Sequence, residues 1–284
     1  MRPFRRRAMR TAAAGLALAA SRAASAPPTV RVGLTPVFLD DRVRLLRRWR
    51  DYLGDSLGSA VEFVQRGTYA QVLDALRASQ IDFAWICGYP YVLHQAELRL
   101  VAVPQWRGRP VYQSYLLAGA ESPLRSLAEL RGRTFAYSDP LSNSGFLYVQ
   151  HLLRAQGLDP GRFFGRTFFT HSHRHVVEAV AAGLADAGAV DGYVWETLVE
   201  LHPGLAGRTQ VLHRSPEFGF PPIVAAAKTA PEQVRRFRAA LVEMTTDPAG
   251  RSVLAELRLD RFVAGDPALF QGIAEMARWH GRPA

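Results

Sequence analysis

Tyr137-Ser138-Asp139-Pro140-Leu141-Ser142-Asn143-Ser144-Gly145 joins two patterned stretches. Before it, Thr134-Phe135-Ala136-Tyr137 is an apolar run of strand length. After it, Phe146 to Leu153 carries apolar residues at helical spacing. Ser142, Asn143 and Ser144 are good N-cap residues, and Gly145 lets a ligand come close to the backbone. A strand, a polar turn and a helix start make an anion site: free N–H groups point outward, hydroxyls add donors, and the helix dipole favours negative charge. An ordinary capped helix in an α/β domain fits the same residues.

The stretches on either side repeat this plan. Toward the N-terminus, Val30–Leu34 reads as a strand leading into Thr35-Pro36. A helix follows, with Leu45, Trp49, Leu53 and Leu57 on one face and a stop at Gly58. Val61–Val64 is the next strand, Thr68 and Tyr69 open a helix, and Ile81–Ile86 is a continuous apolar strand ending at Gly88-Tyr89-Pro90-Tyr91. Strand and helix alternate, which predicts a parallel sheet of βαβ units with binding residues at the carboxyl ends of strands. Thr35, Tyr69, Tyr89 and Tyr91 stand at or near such ends. Leu98–Val103 and Val111–Leu117 are expected as further strands. Toward the C-terminus, Thr167–Thr170 leads into His171-Ser172-His173, and Ala187–Val190 leads into Asp191-Gly192-Tyr193. The late strands at 211–212 and 223–226, and the helices starting at Pro231 and Asp266-Pro267, must rejoin a sheet. Two lobes are therefore expected, the second inserted in the first: residues 27–117 with 213–284, and residues 118–212. The crossovers fall near residues 116–122 and 212–222.

The chain of 284 residues carries a net charge of +10, and residues 1–26 hold six arginines and no acid, leaving +4 for the rest. A mildly basic body without a basic stripe of interleaved aromatics argues against nucleic acid and suits a small anion. Arg5-Arg6-Arg7, the apolar run from Thr11 to Ala20 and Ala24-Ser25-Ala26 have the order of a signal peptide over residues 1–26. Export to the periplasm by the Sec or Tat route is expected. Cys87 is the one cysteine, so no intrachain disulfide forms, and it reads as a small buried hydrophobe of a strand.

These motifs, in this order, resemble the periplasmic substrate-binding proteins of phosphate, phosphite and phosphonate ABC transporters. The resemblance runs from about Val30 to Trp279. It rests on Gly33-Leu34-Thr35-Pro36, Thr68-Tyr69, Gly88-Tyr89-Pro90-Tyr91-Val92, Asp139 to Gly145, Ser172-His173 and Asp186 to Asp191. It implies an α/β, two-lobe type II periplasmic binding-protein fold with a hinge between Rossmann-like lobes. It implies that Ser142, Asn143, Ser144 and Gly145 grip the oxyanion, with Tyr69, Tyr91 and His173 assisting, and that Asp191 can meet an amino group; Tyr193 is the other candidate there. One departure is that Gly88-Tyr89-Pro90-Tyr91 reorders the family's usual glycine-proline pattern.

The expectation is thus a monomeric binding protein rather than an enzyme. It captures a small oxyanion, hands it to the permease subunits of an ABC transporter, and uses no cofactor. His173, when protonated, would add charge beside the ligand. Two rivals keep the same residues. An exported phosphoester hydrolase would hold a metal at His171, His173 and His175, which share one face of an extended segment. A sensor would pass ligand occupancy to a membrane receptor. No Gly-x-Ser-x-Gly elbow or paired nucleophile and base supports the hydrolase.

Overall fold

The computed structural model describes residues 29–36 and 42–280; the expected signal peptide lies outside them. Lobe one begins with β1 (Val30–Leu34), α1 (Val43–Leu57), β2 (Val61–Gln65), α2 (Tyr69–Arg77), β3 (Phe83–Trp85), α3 (Gly88–Leu93) and β4 (Leu98–Gln105). The chain then crosses through β5 (Val111–Tyr112). Lobe two comprises β6 (Ser114–Gly119), β7 (Thr134–Tyr137), α4 (Tyr148–Ala155), α5 (Pro160–Phe163), β8 (Arg166–Phe169), α6 (His173–Ala181), β9 (Ala187–Asp191), α7 (Gly192–Leu201), α8 (Pro203–Ala206) and β10 (Thr209–Arg214). The return passes through β11 (Phe218–Gly219). Lobe one is completed by β12 (Ile223–Ala226), α9 (Pro231–Val242), α10 (Pro248–Leu257), β13 (Arg261–Ala264) and α11 (Gln271–Trp279).

The first sheet has the order β13-β4-β12-β3-β1-β2 and the second β10-β6-β9-β7-β8. Each contains a parallel βαβ core: β1 with β2 and β3 in lobe one, β7 with β8 and β9 in lobe two. Neither is wholly parallel, contrary to the expectation for lobe one. β12 enters between β3 and β4, antiparallel to both, because it arrives on the return from the other lobe. β6 lies antiparallel to β9 for the equivalent reason.

Apolar spacing sets the packing. On α1, Leu45, Trp49, Tyr52, Leu53 and Leu57 are buried, a stripe at intervals of three and four residues. Each large side chain so covered contributes about 1.5–3 kcal/mol. Trp49 meets Phe63, Trp85 and Phe262, so one residue ties α1 to three strands. The helix stops where Gly58 takes a left-handed φ of 57°. Phe83 of β3 stacks on Phe237 of α9 with ring centroids 3.9 Å apart, fixing the returning segment on lobe one.

The crossover differs from the expected one. Val111 to Leu117 is two strands, not one. β5 pairs with β11 in a two-stranded antiparallel ribbon, and β6 joins the lobe-two sheet, where Leu116 and Leu117 are fully buried. β10 also belongs to that sheet. The lobe boundaries therefore move from residues 117 and 213 to the segments 106–113 and 215–222. Around them, Ser114 N–H donates to the Ser215 hydroxyl at 2.8 Å, and Phe220 N–H to the Pro110 carbonyl at 2.9 Å.

Candidate functional site

The strand, turn and helix expected around residue 142 are present, but the turn is built for packing as much as for binding. Ser142 is the N-cap: its Oγ accepts the Gly145 N–H at 2.9 Å. The helix opens with one π-type turn over Asn143–Leu147 before the α-helical run begins at Tyr148. What approaches Gly145 is the Ser138 side chain. A Cβ at 145 would sit 1.9 Å from Ser138 Oγ, so only glycine fits. The Ser144 carbonyl accepts the Ser114 hydroxyl at 2.6 Å, and Asn143 Nδ2 donates to the Tyr112 hydroxyl at 3.0 Å. Three polar atoms are buried here with no hydrogen-bond partner among the described residues: Ser138 Oγ, Asn143 Oδ1 and Ser144 Oγ. Such atoms are costly to leave unpaired.

A narrow cleft lies between the lobes. Thr35, Tyr69, Trp85 and Cys87 line it from lobe one, His173, Asp191 and Tyr193 from lobe two, and Phe220 and Pro221 from the return segment. Thr35 and Trp85 stand at the carboxyl ends of β1 and β3. Asp191 ends β9, and His173 opens α6. This is where a doubly wound sheet places its binding residues.

His173 is fully enclosed, and its Nδ1 accepts the Asp191 backbone N–H at 3.0 Å. A backbone N–H can only donate, so the ring proton sits on Nε2. Burial also pulls the pKa down to about 3. His173 is therefore a neutral donor, and the charge expected from its protonated form is absent at neutral pH. Burial pushes the Asp191 carboxyl up to about 7, against the pull of the Tyr193 and Val194 N–H groups; its Oδ1 caps α7 through Tyr193 N–H at 2.8 Å. Asp191 lines the cavity beside His173. Tyr193 does too, but its hydroxyl is donated to the Leu257 carbonyl across the lobes.

Two groups pass between lobes at helix starts. Asp139, 2% exposed, accepts the Tyr69 N–H with Oδ2 at 3.2 Å and the Leu141 N–H with Oδ1 at 2.8 Å. His171 Nδ1 lies 3.3 Å from the same Oδ2. In the other direction, Cys87 Sγ of lobe one accepts the Asn143 N–H at 3.2 Å. Cys87 is not a strand residue: it is the N-cap position of α3, just past β3. Burial raises its thiol to about 11, so it is neutral at neutral pH. The sequence signalled neither role. The polar Asp-Pro pair reads as a turn, and a lone cysteine after an apolar strand reads as core.

The tyrosines divide. Tyr69 lines the cleft. Tyr89 and Tyr91 do not, because Gly88–Leu93 is a helix rather than a strand end; Tyr91 packs edge-on against Phe270 of lobe one, with centroids 4.9 Å apart. Ser142, Asn143, Ser144 and Gly145 stand outside the cavity wall, reached through Cys87. The three alternating histidines do not share a face. His171 has a left-handed φ of 58°, His173 is buried at the helix start, and His175 is exposed one half-turn on.

Two α/β lobes, each with its own sheet, joined by a double crossover around a cleft at the strand ends define a two-lobe solute-binding protein. Residues 32–270 match the family described as ABC transporter, phosphonate, periplasmic substrate-binding protein, and the chain belongs to that family. A phosphate-import protein, PhnD, of Mycolicibacterium smegmatis is 32% identical over 163 residues, which is 52% of this chain and 51% of that protein. A probable ABC transporter phosphite binding protein, PhnD1, of Prochlorococcus marinus is 24% identical over 208 residues, 68% of each chain. The chain thus matches about half the length of the first of these relatives. Among solved structures, a binding-protein component of an ABC phosphonate transporter from Pseudomonas aeruginosa superposes with a TM-score of 0.82 at 23% identity, over 89% of this chain and 87% of that one. PhnD1 from Prochlorococcus marinus in complex with methylphosphonate gives 0.79 at 19%, over 89% and 98%. At these identities the structural likeness shows the fold: the type II two-lobe architecture.

Proposed function

We propose that this protein captures a small phosphorus oxyanion, a phosphonate, phosphite or phosphate, between its two lobes outside the cytoplasm and delivers it to an ABC permease. The observation that carries the reading is the neutral Nε2–H donor of His173 held at the cleft, facing Thr35 and Tyr69 of the other lobe. A neutral donor binds an oxyanion without the desolvation that a buried cation would suffer. The relatives named for phosphate import and phosphite binding, and the methylphosphonate complex, agree with this ligand class.

In this reading Asp191, holding its proton near neutral pH, donates to an anionic oxygen or, ionised, meets an amino group. Ser144 and Asn143 join the anion when the Cys87 sulphur gives up the Asn143 N–H. Ser142 keeps its place as cap, and Gly145 keeps the turn tight. The β5–β11 ribbon serves as the hinge on which the lobes close. Residues 1–26 direct export and are removed, the mature protein is a monomer, and it is not an enzyme.

Isothermal titration with methylphosphonate, phosphite and phosphate tests the ligand class. At least one should bind, and Ser144→Ala should weaken it about ten- to a hundredfold, since a charge-assisted hydrogen bond contributes about 1.5–3 kcal/mol. No binding of any of the three would reject the ligand class. Equal affinities for wild type and Ser144→Ala would leave the focal turn as a helix start alone.

A further inference from the structure

Among the described residues, four other than glycine have a positive φ: Ser79, Arg107, His171 and Arg258. Such a backbone is strained for any residue that carries a side chain. Three of the four stand where the lobes touch. His171 adjoins Asp139, whose carboxyl group holds the Tyr69 N–H of lobe one. Arg107, just past β4, and Arg258, just past α10, both reach α7 of lobe two.

Each arginine occupies a place that its local structure would give to another residue. Trp106 and Arg109 exchange backbone hydrogen bonds of 2.9 and 3.2 Å around Arg107-Gly108, whose φ values are 52° and 79°. A two-residue hairpin turn of this kind favours asparagine or aspartate before the glycine. The Gly108 N–H donates to the Asp260 carboxylate at 2.6 Å, which seats the turn on lobe one. Arg258 ends α10 with a φ of 56°. α1 ends at nearly the same angle, 57°, with Gly58, the ordinary choice there. What the arginines supply is reach. Arg107 Nη2 donates to Glu196 Oε2 at 3.2 Å, and Arg258 Nε lies 3.1 Å from Glu200 Oε2. Tyr115 of lobe two donates its hydroxyl to the other Glu196 oxygen at 3.0 Å and so aims that side chain.

Tyr193, Glu196 and Glu200 are spaced by three and four residues, so they share one face of α7. All three meet lobe one, Tyr193 through the Leu257 carbonyl. The same helix is capped by Asp191, a wall of the cleft. We propose that this face of α7 is a latch: Arg107 and Arg258 grip Glu196 and Glu200, and so hold Asp191 and Tyr193 in place against lobe one. These four charged residues are positioning residues. They act on the ligand through closure of the lobes, so the inference rests on the closure proposed above. Exposed ion pairs add little to the stability of a fold. They do bias a choice between two arrangements when they form in only one of them, and a ligand held between the lobes favours the same one. The strain at Arg107 and Arg258 then serves closure rather than folding.

Arg107→Asn/Arg258→Gly gives each turn a residue it prefers and removes both ion pairs. Its ligand-free melting temperature should stay or rise. Its affinity for the tightest of methylphosphonate, phosphite and phosphate, read by isothermal titration, should fall about three- to tenfold. A charge swap is the second arm. Glu200→Arg alone should weaken binding at least as much, and Glu200→Arg/Arg258→Glu should restore most of it. If the melting temperature of the turn variant falls together with its affinity, the swap decides. Unchanged affinity in the turn variant overturns the latch, and so does a swap that binds no better than Glu200→Arg. If none of the three anions binds wild type, the ligand class fails and small-angle scattering decides the latch. The ligand-free radius of gyration should then increase in Glu200→Arg and return in the swap; an unmoved radius overturns the latch.

Discussion

The two helix starts that are capped from the other lobe are filled by unlike atoms. At the start of α2 in lobe one, the Tyr69 N–H is held by the Asp139 carboxylate of lobe two. At the focal turn of lobe two, the Asn143 N–H is held by the Cys87 sulphur of lobe one. Each lobe thus satisfies a helix start that belongs to the other. A carboxylate at a helix start is a strong, charge-assisted acceptor. A neutral thiol is a weak one. The difference separates a clasp from a placeholder: the Asp139 end is closed by the protein's own carboxyl group, whereas the Cys87 end is held weakly and, in the function proposed above, is released to an anion from outside.

The largest effect should come from the clasp. Asp139→Ala strips the acceptor from the buried Tyr69 N–H and the half-buried Leu141 N–H. A loss of about 3 kcal/mol in folded stability is expected, read from urea midpoints at constant slope. An unchanged midpoint would reduce the clasp to a contact without strength. Next is the cleft donor of the proposed site. His173→Ala should weaken the tightest of methylphosphonate, phosphite and phosphate about ten- to a hundredfold; because it also leaves the buried Asp191 N–H without its acceptor, affinity is measured by titration on the folded variant. An intact affinity would show that the two helix starts bind without it.

A pH series sharpens the comparison further. Asp191 holds its proton to about pH 7 in the folded chain against an ordinary 3.8, so the folded state keeps a proton that the unfolded chain has lost. Its contribution is complete below about pH 4 and fades as pH rises through 7. His173 runs the other way. Its folded pKa of about 3 lies below the ordinary 6.5, so its contribution is present above 6.5 and fades as pH falls toward 3. In wild type the two slopes oppose each other between about pH 4 and 6.5. Asp191→Asn should leave only the rising slope of His173, and should gain stability relative to wild type above pH 7. Oxyanion affinity in wild type should fall as pH passes 7, while the variant's stays flat. Parallel melting curves for the two proteins across this range would show that Asp191 titrates normally.

The smallest effect tests the placeholder itself. Cys87→Ser puts a better acceptor on the Asn143 N–H and should weaken oxyanion binding severalfold, about 0.5–1 kcal/mol. Tighter binding in Cys87→Ser would mean that residue 87 serves the ligand directly.

The sequence made the local devices legible and hid the exchanges between lobes. Thr68 accepts the Gln71 N–H as a cap should, Gly58 ends α1, and Ser142 caps its turn, because each is settled within four residues of chain. The family and its two-lobe architecture followed from several such motifs in order. Cys87 and Asp139 escaped because their partners lie 56 and 70 residues away, and no spacing rule links a thiol or a turn aspartate to a distant N–H. Tyr91 was misplaced for a local reason. An apolar strand followed by Gly-Tyr-Pro-Tyr looks like a turn, yet Pro90 falls in the first turn of α3, where its missing N–H costs nothing. Val111 to Leu117 is apolar but for Gln113-Ser114, a break too short to read as a change of sheet.

The position of β12 governs the order in which the molecule can assemble. β4 and β13 reach the rest of the lobe-one sheet only through Ile223–Ala226. Lobe two, by contrast, has all five of its strands between residues 114 and 214. As the chain leaves the ribosome, lobe two is complete in sequence while lobe one is still two unjoined fragments, and no continuous first sheet can form until residue 226 has emerged. β12 follows the last strand of lobe two closely in the chain, so the lobe-one sheet can be joined only just after lobe two is complete.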